Sequence, residues 1–130
     1  MSIYNKINIA IIGATGFTGL DLVHILSKHP SVKINHLCAT KNIGKKISFF
    51  DKRIKMKLPK ISSVKKVIWD HLDLVFLSLP NGESKKLVKK IYFKKVNLKF
   101  IDLSADFRLS HIKKYEQNNN LKNKEKNIIK

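Results

Sequence analysis

Apolar and polar residues are grouped along this chain in short blocks, each about as long as one secondary-structure element. The first block, residues 7–12, is a β-branched apolar run typical of a buried strand. Residues 20–26 place apolar side chains at helical spacing, and residues 27–30 end that helix. Residues 32–37 alternate between apolar and polar side chains, which predicts a second strand.

The second half of the pattern repeats this order. Residues 40–60 are polar and rich in lysine, and we expect a loop with at most one short element there. Residues 73–79 predict a strand, residues 83–94 an amphipathic helix, and residues 100–103 a further strand. The apolar face of that helix consists of Leu87, Val88, Ile91 and Tyr92.

Two successive strand–helix–strand units predict an α/β fold with a Rossmann-like, doubly wound parallel sheet and right-handed crossovers. We assign residues 1–116 to an NAD(P)-binding domain and residues 117–130 to a polar tail. Near the end of that tail, Ile128 and Ile129 have nothing after them to be buried against. The tail therefore resembles an interrupted element that leads toward an absent C-terminal catalytic domain.

Three glycines between the first strand and the first helix, at 13, 16 and 19, predict a dinucleotide-binding loop. Gly13 permits a tight turn, Gly16 lets the backbone approach the phosphates, and Gly19 allows close helix packing. The helix N-terminus adds N–H donors and a partial positive charge for the pyrophosphate. The predicted contacts are Gly13, Ala14, Thr15, Gly16, Phe17, Thr18 and Gly19.

The end of the second strand indicates which dinucleotide binds. NAD-binding proteins usually carry an acidic residue there that holds the ribose 2′-hydroxyl. This chain has no acid at residues 38–42, and Thr40 and Lys41 offer a hydroxyl and a cation for a 2′-phosphate. The sequence therefore predicts NADP as the cofactor, while an ordinary solvated loop lysine is the alternative for Lys41.

The net charge of +18 raises the alternative of nucleic-acid binding. However, only Arg53 and Arg108 are arginines among 27 basic residues, and the lysines are spread over the whole chain. Base readout favours arginine, so this distribution argues against nucleic acid as the main partner. No apolar run is long enough to span a membrane, and we expect a cytoplasmic protein. The single cysteine, Cys38, excludes an internal disulfide.

The segment Asp102-Leu103-Ser104-Ala105-Asp106-Phe107-Arg108-Leu109 resembles the N-acetyl-gamma-glutamyl-phosphate reductases, which belong to the semialdehyde dehydrogenase superfamily. Residues 13–19, residues 77–82 and the pair Tyr115-Glu116 match the same family in the same order. The resemblance covers residues 7 to 116. Relatives that reduce a carrier-bound aminoadipyl phosphate remain an alternative.

The resemblance implies an NADPH-dependent oxidoreductase of arginine biosynthesis that reduces an acyl phosphate, N-acetylglutamyl phosphate, to the semialdehyde. It places Pro80, Asn81 and Gly82 beside the nicotinamide, although the family usually has His where Asn81 stands. It also implies that Ser104 and Arg108 bind substrate, with a structural ion pair as the alternative for Arg108. The family forms a thioester on a cysteine thiolate, assisted by a histidine, and the full-length enzyme is compatible with a homo-oligomer.

The chain departs from the family after Glu116, where residues 117–120 replace its aromatic and glycine pattern. It stops before the Gly-Cys-Tyr segment that supplies the nucleophile, so we assign no catalytic residue and no metal site. Cys38 is interpreted as a small buried residue on the adenosine side. Three functions remain: a reductase fragment inactive alone, a stand-alone NADP-binding module, or a basic nucleic-acid-binding protein. The position of Ile128 and Ile129 at the end of the sequence favours the first.

Overall fold

The computed structural model describes residues 6–80, 82–92 and 97–103. Within this part of the chain, one sheet contains the strands β1 (Ile7–Ile12), β2 (Val32–Cys38), β3 (Ile61–Ser62), β4 (Leu74–Leu77) and β5 (Lys99–Asp102). The strand order is β3-β2-β1-β4-β5, and every neighbouring pair is parallel. The helices are α1 (Phe17–Ser27) and α2 (Glu83–Tyr92), and single 3-10 turns cover Ile47–Phe49, Val64–Lys66 and Trp69–His71.

The two helices pack on opposite faces of the sheet, because the central strand β1 is apolar on both sides. Ile9 and Ile11 belong to the core beneath α1, which also contains Val23. Ala10 and Ile12 belong to the core beneath α2, which also contains Ile91. The sequence of a strand that is covered on both faces is a continuous apolar run rather than an alternation of apolar and polar residues. This arrangement confirms the predicted Rossmann-like, doubly wound sheet.

Strand β2 is confirmed, but its strict alternation is interrupted by one extra residue. Ile9 pairs with Ile34 and Ala10 pairs with His36, so Asn35 has no partner position on β1. This bulge rotates the rest of the strand. As a result, Ile34 and Leu37 both enter the core beneath α1, and Cys38 enters the core beneath α2.

Helix α2 confirms the predicted amphipathic segment as far as it is described. Ile91 is buried and Leu87 and Val88 pack against the same core, while the lysines of the helix are exposed. The side chain of Tyr92 and residues 93–96 lie outside the described part. Strand β4 spans Leu74–Leu77 and is shorter than the predicted 73–79, although Ser78 N–H still donates to Ile12 O at 2.8 Å.

Residues 61–72 received no prediction, yet they hold the edge strand β3 and two 3-10 turns. Asn81, Ser104, Arg108 and the predicted tail 117–130 lie outside the described residues. In the described part of the chain, no helix is both long enough and apolar enough to cross a membrane.

Candidate dinucleotide-binding site

A cleft of about 900 Å³ lies at the carboxyl edge of the sheet. It is lined by residues that directly end or follow β1, β2, β3 and β4, and by one side of α2. From β1 the chain continues to β2, which lies on one side of β1 in the sheet, whereas β4 lies on the other side of β1. Open α/β sheets bind their ligands at such a switch point, so this cleft is the candidate site.

The floor of the cleft is backbone that hydrogen bonds hold in place. Cys38 O accepts from Gly13 N–H at 2.8 Å and from Ala14 N–H at 2.9 Å. Gly13 has a φ of +89°, and a Cβ at this position would lie 2.0 Å from Ser78 O. The end of β4 therefore approaches the turn after β1 too closely for any residue except glycine.

Helix α1 begins beside the cleft, because its N-cap residue Gly16 lines it. The first bond of the helix runs from Leu20 N–H to Gly16 O at 2.8 Å, so the N–H groups of residues 17–19 precede it. These unpaired donors and the helix dipole favour a phosphate at this end. Gly16 lines the cleft and is exposed, and its Cβ would have no neighbour closer than 3.8 Å.

The other residues of the glycine loop have different positions. Thr15 lines the cleft, whereas the Ala14 side chain is completely buried in the core beneath α1. Gly19 is buried, and its Cβ would lie 2.1 Å from Gly13 O, so it holds the helix against the loop. Phe17, 96% exposed, and Thr18 do not line the cleft.

The walls bring together residues that are distant in sequence. Thr40 lines the wall after β2, and Pro80 lines the opposite wall, whereas Lys41 and Gly82 do not line the cleft. Three basic residues that the sequence pattern did not predict also line the walls: Lys65, Lys86 and Lys90. Only the pairing of β3 with β2, which the sequence did not predict, could have placed Lys65 there.

The NAD-binding domain of the semialdehyde dehydrogenases matches residues 8–125 of this chain. The chain belongs to this family. The matched range includes the glycine loop, the cleft and every strand of the sheet except the first residue of β1.

Individual relatives agree with this family. N-acetyl-gamma-glutamyl-phosphate reductase of Ehrlichia ruminantium (strain Gardel) is 42% identical over 114 residues, which cover 86% of this chain and 32% of the relative. A probable chloroplastic N-acetyl-gamma-glutamyl-phosphate reductase of Arabidopsis thaliana is 37% identical over 112 residues, which cover 85% of this chain and 27% of the relative. The chain thus spans about a third of the length of these relatives or less.

Solved structures share the fold of this family domain. Aspartate semialdehyde dehydrogenase from Candida albicans, crystallised with NADP, superposes with a TM-score of 0.59 at 22% identity over 80% of this chain and 31% of that protein. Aspartate semialdehyde dehydrogenase II from Vibrio cholerae gives 0.58 at 21% identity over 80% of this chain and 32% of that protein. At this identity the likeness concerns the fold.

Cys38 sits at the end of β2 in this NAD-binding domain and contributes to the cleft, but its thiol is buried. The residue is 1% exposed, and its Sγ lies 3.7 Å from Ser62 Oγ. Burial raises the pKa of the thiol to about 11. The structure therefore agrees with its interpretation as a small buried residue. No group of three His, Cys, Asp or Glu side chains that could hold a metal ion occurs within residues 6–80, 82–92 and 97–103.

We expect Cys38 to resist thiol reagents in the folded chain. A pKa about two units above that of an ordinary cysteine lowers the thiolate fraction at neutral pH roughly a hundredfold. Burial adds a steric block. Labelling with an aromatic disulfide reagent, followed by absorbance, should occur at the rate of unfolding. The denatured chain is the control, and fast labelling under native conditions would contradict the prediction.

Charged contacts outside the cleft attach the segment between β2 and β3 to α1. Arg53 Nη2 lies 2.6 Å from Asp51 Oδ2 and 2.7 Å from Asp21 Oδ1 on α1. Hydrogen bonding to Arg53 lowers the pKa of Asp51 to about 2, and the bonds to Asp51 and then Asp21 raise the pKa of Arg53.

Burial lowers the pKa of His36, whose Nε2 accepts from Ile68 N–H at 3.3 Å.

Proposed function

We propose that this chain forms the NADP-binding part of an N-acetyl-gamma-glutamyl-phosphate reductase. The observation that carries the proposal is the cleft at the switch point of the sheet, floored by a glycine loop and the start of α1. Relatives named as this reductase match the region that builds the cleft. The reaction class is reduction of an acyl phosphate by NADPH, which yields an aldehyde and releases phosphate.

The residues of this chain would bind and orient the dinucleotide. The N–H groups at the start of α1 would donate to the pyrophosphate, and Gly16 leaves room for it beside the backbone. Pro80 and Leu79 would pack on one side of the cofactor, since they follow β4 beside the loop. NADP, when bound, supplies the hydride that reduces the substrate.

Catalysis itself is proposed to lie in the part of the relatives that this chain does not match. The buried thiol of Cys38 does not suit nucleophilic attack on an acyl phosphate. Ser104 and Arg108 remain the predicted substrate-binding residues. The cytoplasm remains the proposed location.

Gly16→Ala tests the cofactor site without disturbing the fold. A Cβ at this position would lie 3.8 Å from its nearest neighbour, so we expect the free energy of unfolding to change by less than about 1 kcal/mol. The same methyl group would occupy the space next to the pyrophosphate. We therefore expect NADPH affinity, measured by titration calorimetry, to fall about tenfold or more because charge-assisted hydrogen bonds lengthen.

Gly44→Ala is the matched control for this substitution. Gly44 lies outside the cleft with a φ of +92° and open space around it, so alanine should cost stability but leave NADPH affinity unchanged. An unchanged affinity in Gly16→Ala, or no binding of NADPH by the natural chain, would refute the proposed site.

A further inference from the structure

Strands β2 and β3 end side by side at one wall of the cleft. Cys38 pairs with Ser62, and Ala39 N–H donates to Ser62 O at 3.2 Å. The residues that follow each strand, Thr40 on one and Ser63 with Lys65 on the other, line this same wall. The cation offered here to a ligand therefore comes from the turn after β3.

Lys41, the cation that the sequence pattern favours, does not line this wall. Gly44 N–H donates to Ile61 O at 2.7 Å, and Ile61 N–H donates to Lys45 O at 2.9 Å. Gly44 and Lys45 thus lie along the outer edge of β3, whereas Ile43 lines the cleft. Lys41 is exposed and does not line the cleft, whereas Lys65 does.

The turn that carries Lys65 is fixed by its own cap. Ser63 Oγ accepts from Lys65 N–H at 3.2 Å, which leaves the hydroxyl proton available for an anionic ligand. Among the described residues that line the cleft, the one carboxylate is Glu83. It lies on α2 together with Lys86 and Lys90, so no lining acid shares the wall of Lys65.

We propose that Lys65, with the hydroxyls of Ser63 and Thr40, binds the 2′-phosphate of NADP and selects NADP over NAD, in place of Lys41. This inference rests on the proposed function, because it concerns the same cleft. The 2′-phosphate is the only group that distinguishes the two dinucleotides. A cation and two hydroxyl donors on one wall, with no carboxylate among them, match a phosphate and not a ribose hydroxyl.

The test compares Lys65→Met with Lys66→Met in the 130-residue chain. Methionine keeps the length and the apolar stem of lysine but removes the charge. Lys66 is the adjacent residue, exposed and outside the cleft, and is therefore the matched control. The probes are NADP and NAD, together with 2′,5′-ADP and 5′-ADP, which carry the same contrast without the nicotinamide. Thermal unfolding of each variant checks the fold.

We expect Lys65→Met to lower the affinity for NADP and for 2′,5′-ADP about tenfold to a hundredfold, as for a lost hydrogen bond to a charged group. The affinity for NAD and for 5′-ADP should change by less than about twofold in this variant. In Lys66→Met and Lys41→Met, the affinities for all four ligands should stay within about twofold of the natural chain. Lys65→Arg should restore much of the NADP affinity.

Other outcomes overturn the inference in distinguishable ways. A loss confined to Lys41→Met returns the 2′-phosphate to the loop after β2, and a loss in Lys86→Met places it on α2. If Lys65→Met lowers the affinities for NADP and NAD equally, Lys65 only attracts the negatively charged dinucleotide in general and does not bind the 2′-phosphate. Each of these results leaves the proposed function intact. Failure of the natural chain to bind either dinucleotide removes the proposed function and this inference together.

Discussion

Gly13→Ala should destabilise the chain by roughly 2–5 kcal/mol, the largest effect that we expect from one methyl group. Two separate costs combine at this position. The φ of +89° is strained for alanine, and the new Cβ would lie 2.0 Å from Ser78 O. Ser78 N–H is bonded to Ile12 O, so the neighbouring backbone cannot move aside without breaking the sheet. Urea denaturation followed by circular dichroism measures the loss.

Gly44→Ala separates the two costs. Its φ of +92° is nearly the same, but no atom lies within 4 Å of the added Cβ. This control should therefore lose only the conformational part, roughly 1–2 kcal/mol. If both variants lose the same amount, the close approach of Ser78 does not matter and our account of Gly13 is wrong. If Gly13→Ala fails to fold while Gly44→Ala folds, the account holds.

Gly19→Ala should also destabilise the chain, although helix propensity alone predicts the reverse. Alanine within a helix is better than glycine by about 1 kcal/mol. At this position, however, the added Cβ would lie 2.1 Å from Gly13 O and 2.9 Å from backbone atoms of Ala14. The contacted atoms belong to the cleft floor, so the helix must move, at a cost of about 1–3 kcal/mol or more. Steric overlap outweighs propensity.

The shift of α1 should also weaken NADPH binding, because the N–H groups at its start would move away from the pyrophosphate. Titration calorimetry and denaturation of the same variant measure the two effects together. Gly16→Ala is the control for the stability measurement, since it adds the same methyl group at the helix cap, where no neighbour would lie closer than 3.8 Å. A Gly19→Ala variant that is more stable than the natural chain would contradict the proposed packing.

Where the apolar pattern was continuous, the sequence predicted the fold closely. The strand at 7–12 is confirmed residue for residue, and the start of β2 at Val32 is confirmed as well. The extra residue Asn35 was not predictable, because a bulge depends on which β1 residues face β2. Strand β3 has only two residues and carries no periodic signal, so it appears only through its pairing with β2.

The same reason explains what the sequence could and could not predict about the cleft. The glycine loop is local, so the spacing of Gly13, Gly16 and Gly19 predicted its turn and its helix. Lys65 reaches the cleft through a strand pairing that joins residues 24 positions apart along the chain. Lys41 comes three residues after the end of β2 but does not line the cleft. Proximity in sequence therefore favoured a lysine that does not line the cleft, and missed one that does.

The two edges of the sheet differ in what they allow next to them. At the β3 edge, Ile61 already exchanges backbone hydrogen bonds with Gly44 and Lys45, so another strand cannot pair there. In the described part of the chain, β5 forms the other edge of the sheet and pairs with β4. A strand added beside β5 would lie on the opposite side of β1 from Thr40 and Lys65 and would leave their wall of the cleft unchanged.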